Sequence, residues 1–231
     1  TSGIYQYSIE GMLNYYQLSI EMIMRFTKAN GQIGIICPSS LFGDLTSAKL
    51  RKHLLISNRI HFIRYYPEAA RLFENVSQST VIFYLQKGNK TDKIDIEISD
   101  NTFEIDFNTI KNIFPDNFEI PLIDKTGWTI LAKISKKKKM KEIPFLRNRR
   151  GELDLTFFKP FITSENTGWR LVRGNMISEE GVIDKNGEFV EIEGFLSKKS
   201  ADFKVNDYNK ERLICQQISN IDSKRRLKFV F

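Results

Sequence analysis

The chain's 231 residues suit one large domain or two small ones, and 41% hydrophobic with 27% charged residues is a globular composition, neither disordered nor collagenous. No apolar run approaches the roughly 18–20 residues of a membrane span, and no charged leader precedes an apolar block, so neither a membrane segment nor a secretory signal is expected. The net charge is +7; the two cysteines and two histidines have no paired spacing, which excludes a disulfide framework and a zinc finger and points to a reducing, cytoplasmic setting.

Residues 8–29 carry apolar side chains at Ile9, Met12, Leu13, Tyr16, Ile20, Ile23 and Met24, which predicts a helix with one buried face. Asn30-Gly31 supplies a left-handed stop. Gln32 to Pro38 is short, β-branched and apolar on both faces, which predicts a buried parallel strand. Thr46 is the expected N-cap of a helix over 47–56 with Leu50, Leu54 and Leu55 inward. Strands follow at Ile60–Ile63 and Thr80–Leu85, and after a turn over 88–92 at Ile94, Ile96 and Ile98. This order reads as an α/β fold, the second half of an open sheet. Pro115, Asp116, Pro121 and Asp124 place a domain boundary near 113–125, giving domains over 1–115 and 116–231. Asn186-Gly187 between Val182-Ile183 and Phe189-Val190 predicts a hairpin, and Arg212–Cys215 and Leu227–Phe231 read as strands, so the second domain is expected to be mixed and β-rich. Thr1 is not a methionine and Phe231 ends a strand-like run, so a fragment of a longer protein is expected.

The charge is uneven. Residues 133–150 hold nine basic side chains, including Lys136, Lys137, Lys138, Lys139, Lys141, Arg147, Arg149 and Arg150, against the single acid Glu142, while the rest of the chain is near neutral. Such a run favours a polyanion; a solvated lysine-rich loop is the alternative.

The helix, the strand Gly31-Gln-Ile-Gly-Ile-Ile-Cys-Pro38, the segment Leu50-Arg51-Lys52-His53-Leu54-Leu55 and the segment Leu72 to Lys87 together resemble the class γ (Taq-type) adenine-N6 DNA methyltransferases and their type IIG restriction–modification relatives. The resemblance is specific over residues 5–87. It is looser over 120–231, where Gly151–Thr156 and Arg170–Asn175 look like segments of a target-recognition domain. It implies the second half of a class I methyltransferase sheet and S-adenosylmethionine as methyl donor for double-stranded DNA. The family's glycine-containing cofactor loop and Asn-Pro-Pro-aromatic motif are not found in the sequence; they are expected, with any nuclease domain, in an upstream part of the same protein. No catalytic residue is therefore expected in this chain.

The resemblance also implies that Phe73 stacks on the target adenine once it is flipped from the duplex, where an aromatic face replaces the lost base stacking; an ordinary core phenylalanine is the other reading. The basic run, Arg170, Arg173 and the cluster Lys224, Arg225 and Arg226 are the candidate DNA contacts, the arginines suiting bidentate bonds. Asp202-Phe203-Lys204 has a nuclease-like D-x-K spacing but no convincing acidic partner on an upstream strand, so it is read as a chance match and no cleavage activity is placed here. A stand-alone DNA-binding specificity module and an RNA-binding or interaction protein are the alternatives.

Overall fold

The computed structural model describes residues 3–11, 13–74, 76–185, 187–198, 210–219, 225 and 227–231. They form two compact units, residues 1–143 and 144–231. The expected boundary near 113–125 lies inside the first unit. Ile120 and Trp128 are buried in that unit's core, so the prolines there turn the chain without ending the domain.

The first unit opens with helix α1 (Tyr15–Phe26), strand β1 (Gln32–Pro38), the short α2 (Ser40–Gly43) and α3 (Ala48–Ser57). Strands β2 (Asn58–Tyr66), β3 (Thr80–Lys87), β4 (Lys93–Ile98) and β5 (Asn101–Asp106) follow, then α4 (Phe107–Ile113) and α5 (Lys125–Ile134). The five strands make one mixed sheet in the order β1-β3-β2-β4-β5. Strand β3 runs antiparallel between β1 and β2, β2 pairs parallel with β4, and β4–β5 is an antiparallel hairpin. The fold is thus α/β with a mixed sheet.

Three local expectations change. Helix α1 starts at Tyr15, because Asn14 accepts a bond from the Tyr16 amide and caps it there. The preceding segment is instead collected by the buried Glu21 carboxylate, which accepts from the amides of Gln6, Tyr7 and Ser8 and from the Ser8 hydroxyl. The inward face is accordingly Gln17, Ile20, Glu21 and Met24, while Ile9, Leu13 and Ile23 are exposed. Thr46 does not cap α3; it lies in a 3-10 turn, Leu45–Ser47, that runs into the helix without a side-chain cap. Leu50, Leu54 and Leu55 are nonetheless fully buried.

Strand β1 is not buried on both faces and has no parallel neighbour among the described residues. Ile33, Ile35 and Cys37 point into the core, Ile36 is 46% exposed, and the strand pairs with the antiparallel β3 at the edge of the sheet. On that outer face Ile36 pairs with Ile82 and Gly34 with Tyr84, so apolar surface continues into β3. The inner face packs under the helices through Val81, Phe83 and Leu85 of β3 and Ile94 and Ile96 of β4.

The second unit holds little regular structure among its described residues. Strands β6 (Ile162–Thr163) and β7 (Phe189–Val190) pair, as do β8 (Ile214–Cys215) and β9 (Phe229–Val230), and one helix, α6 (Ile192–Lys198), packs Phe195 against Phe158. The expected pairing of Val182-Ile183 with Phe189-Val190 does not form. Val182 bridges Ile177 and the Ile183 amide donates to the Met176 carbonyl, while Phe189-Val190 pairs with β6. Asn186, in the middle of that predicted hairpin, lies outside the described residues, as do Met12, Asn75 and Asp202-Phe203-Lys204.

Candidate functional site

In an open α/β sheet, ligands gather outside the carboxyl ends of the parallel strands. Here that pole is formed by the end of β1, the end of β2 and the start of β3. The Ser39 amide donates to the Ser79 carbonyl at 3.0 Å, and the two serine hydroxyls lie 2.5 Å apart, which ties the β1 end to the β3 start. The chain from Pro67 to Ser79 crosses the same pole. It begins with the 3-10 turn Glu68–Ala70, and Arg71 then takes a left-handed φ of 43°.

Phe73 sits in this crossing. It is 48% exposed, with Leu72 and Val76 beside it exposed as well, so it is not a core phenylalanine. Buried Phe42 and Phe83, edge to face at 5.5 Å, show what the core position looks like in the same unit.

Beneath the pole lies a polar cluster that the periodicity of α1 does not reveal. The Tyr16 hydroxyl is 3.0 Å from Ser40 Oγ and 3.1 Å from Ser47 Oγ, and Gln17 Nε2 donates to Ser47 Oγ at 2.8 Å. Gln17 Oε1 is buried without a hydrogen-bond partner. These hydroxyls are engaged with one another, so they do not make an open cradle.

Arg51 is the largest fully buried side chain of the unit. Its Nε donates to the carbonyls of Asn117 and Phe118, and its Nη1 to those of Leu41 and Asp44, all within 2.8–3.0 Å. Burial pulls its pKa down to about 10, against the pull of Glu119 and Asp44, so it stays charged at neutral pH. Arg51 stands in the segment over 50–55, yet its sequence setting, an arginine on a leucine-rich helix, gives no signal of burial.

At the opposite pole, Tyr7 stacks on His53 with centroids 3.8 Å apart and planes 6° from parallel. Burial holds His53 below its ordinary pKa, with Glu21 opposing and Lys87 assisting. Burial would raise Glu21, but the Ser8 hydroxyl and the amides of Gln6, Tyr7 and Ser8 outweigh it and leave its carboxyl below the usual range. Burial pushes the Cys37 thiol up to about 12, which removes it as a nucleophile. Among the described residues no group of three or more His, Cys, Asp or Glu side chains could hold a metal, and no helix is long and apolar enough to cross a membrane.

The predicted cationic residues divide between the two units. Lys136, Lys137 and Lys138 follow α5 and are exposed, Lys139 donates its amide to Glu142, and Lys141 pairs with Asp116 at 3.3 Å. The run crosses the division between the units, so Arg147, Arg149 and Arg150 belong to the second and are exposed. Arg150 Nε donates to Gln217 at 3.3 Å. Arg170 pairs with Asp184 at 3.2 Å, Arg173 is held by both oxygens of Glu188, and Arg225 lies 4.0 Å from Glu179. Lys224 and Arg226 lie outside the described residues.

Residues 13–140 match the family described as N-6 DNA Methylase. No curated protein matches the chain. Among solved structures, it is similar to a modification subunit of a putative type I restriction enzyme from Vibrio vulnificus YJ016, at 16% identity and a TM-score of 0.36, over 41% of this chain and 28% of that one. The type I restriction enzyme EcoKI M protein is similar at 16% identity and a TM-score of 0.35, over 42% of this chain and 22% of its own. The type IIG restriction endonuclease BpuSI is similar at 20% identity and a TM-score of 0.35, over 41% of this chain and 11% of its own. The chain thus aligns with less than a third of each.

Proposed function

This chain belongs to the N-6 DNA methylase family, and from that premise we propose that it is part of a site-specific adenine-N6 DNA methyltransferase of a restriction–modification system, of the class γ or type IIG kind, working in the cytoplasm on double-stranded DNA. The family match over residues 13–140, more than half of the chain, is the observation that carries this reading.

The described residues do not by themselves fit S-adenosylmethionine. The hydroxyls at the carboxyl pole are bound to one another. In this reading the cofactor and the groups that polarise the adenine amine are held by an upstream part of the same protein, which packs against the outer edge of β1 and its outer face around Ile36. When bound, the cofactor supplies the methyl group. This chain's own contribution is positional: Phe73, exposed on the Pro67–Ser79 crossing, receives the extrahelical adenine against its ring. Lys136 to Lys139, Lys141, Arg147, Arg149 and Arg150 meet the phosphates, and residues 144–231 act as the target-recognition domain.

The test is methyl transfer. The whole protein, given S-adenosylmethionine and duplex DNA, is expected to yield N6-methyladenine in the digested nucleosides, whereas the 231-residue chain alone yields none yet binds duplex DNA in a salt-sensitive way. Methylation confined to cytosine, or none from the whole protein, rejects the assignment.

A further inference from the structure

The second unit contains a cavity of about 350 Å³ lined by Asn175, Ile177, Ser178, Ile183, Lys185, Gln216 and Lys228. Its construction follows from the two small strand pairs and the turn beside them. Strands β8 and β9 pair Cys215 with Phe229 at their last rung, so one step further along the same register Gln216 stands opposite Lys228. The 3-10 turn Gly174–Met176 closes on this mouth: a Cβ on Gly174 would come within 3.1 Å of Gln216 Cγ, so the turn approaches Gln216 at a distance that leaves little room for a side chain. The bridge between Ile177 and Val182 carries Ile183 and Lys185 to the other wall.

The chemistry of the lining is one-sided. Among the described residues it is lined by two lysines, an asparagine, a glutamine and a serine besides the isoleucines, and by no carboxylate. Ser178 is already engaged, donating to the Gly181 carbonyl and accepting from the Glu180 amide, which leaves the lysines and amides. Elsewhere in this unit Arg170, Arg173, Arg212 and Arg225 each face a carboxylate. Lys185 and Lys228 have no such partner among the described residues; Lys228 is half-buried and Lys185 is exposed. An anion with several acceptor oxygens, small enough to enter and carrying an apolar neighbour for Ile177 and Ile183, fits this lining. A sugar–phosphate unit has both parts.

We propose that this cavity seats one phosphate of a DNA strand between the Lys185 and Lys228 ammonium groups, with the Asn175 and Gln216 amides donating to its oxygens. The inference rests on the DNA reading above for the identity of the strand, and it shifts the contact in this unit from Arg170 and Arg173, which are ion-paired, to residues that are not.

The test compares the full 231-residue chain with its Lys185→Gln/Lys228→Gln and Lys185→Arg/Lys228→Arg forms. Inorganic phosphate is titrated while the side-chain amide resonances of Asn175 and Gln216 are followed. Duplex DNA affinity is then measured against salt. The expected result is that phosphate shifts both amides in the parent and the Arg form but not in the Gln form, and that the Gln form alone drops about 0.9 from the logarithmic salt slope, the value for one neutralised phosphate. Amides that ignore phosphate, or respond equally in the Gln form, overturn the site. A phosphate response with an unchanged salt slope assigns the cavity to free phosphate and overturns the strand contact. If the parent binds no duplex DNA at any salt, the functional reading itself fails, and the phosphate arm reports on the cavity separately.

Discussion

A single side chain separates two uses of phenylalanine in this chain. Phe42 and Phe83 are fully buried, whereas Phe73 is 48% exposed at the carboxyl pole of the sheet. Phe73→Ala in the whole protein is therefore expected to weaken capture of an extrahelical adenine by the roughly 1–3 kcal/mol of a base–aromatic stack, with little change in melting temperature. A core phenylalanine would instead cost about 3–5 kcal/mol of stability, so a large fall in the melting midpoint with unchanged base capture would count against the stacking role. At the other pole, Glu21 and His53 make stability depend on pH in one direction. His53 is held below the ordinary 6.5, so below that pH the unfolded chain takes up its proton first and folding is weakened. Glu21 is held below the ordinary 4.5, so its contribution is present above that value and is lost as pH falls further. Denaturant melts are expected to show falling stability in two stages on acidification. His53→Phe, which keeps an aromatic partner for Tyr7, should remove the stage near neutrality; persistence of that stage would assign it to another group.

Between elements, Arg51 acts as a strut. It joins α3 to the end of α2 and to the chain at Asn117–Phe118 through four backbone carbonyls. Arg51→Met removes four charge-assisted hydrogen bonds from a buried site, and the expected destabilisation is about 3 kcal/mol. Lys cannot reach four carbonyls from one nitrogen, so Arg51→Lys should recover little. A melting temperature within a degree or two of the parent for either variant would show that the carbonyls find other donors. The basic run after α5 is the opposite case, an element defined by exposure. Changing Lys136, Lys137, Lys138 and Lys139 together to Ala should weaken duplex binding alike for all sequences and lower the salt slope by about 0.9 for each phosphate that is no longer neutralised. An unchanged slope would leave the run as solvated surface.

For the whole molecule, the two units differ in how legible they are from the chain alone. Residues 13–140 match one family, and the strands over Gln32–Pro38, Asn58–Tyr66 and Thr80–Lys87 lie where short β-branched runs predict them. The same runs say nothing about pairing, because an apolar strand can accept either a parallel or an antiparallel neighbour. Packing of the folded chain put β3 antiparallel between β1 and β2 and left β1 at the edge of the sheet among the described residues. Local composition and spacing suffice to tell which segments are apolar, where the charge concentrates and which family the first unit resembles. They do not tell that Phe73 is exposed, that Arg51 is buried, that Arg173 is spent on Glu188 while Lys185 and Lys228 line a cavity, or that the first unit extends to Ile143. Each of those outcomes depends on how distant segments pack in three dimensions, and periodicity along the chain carries no information about that packing.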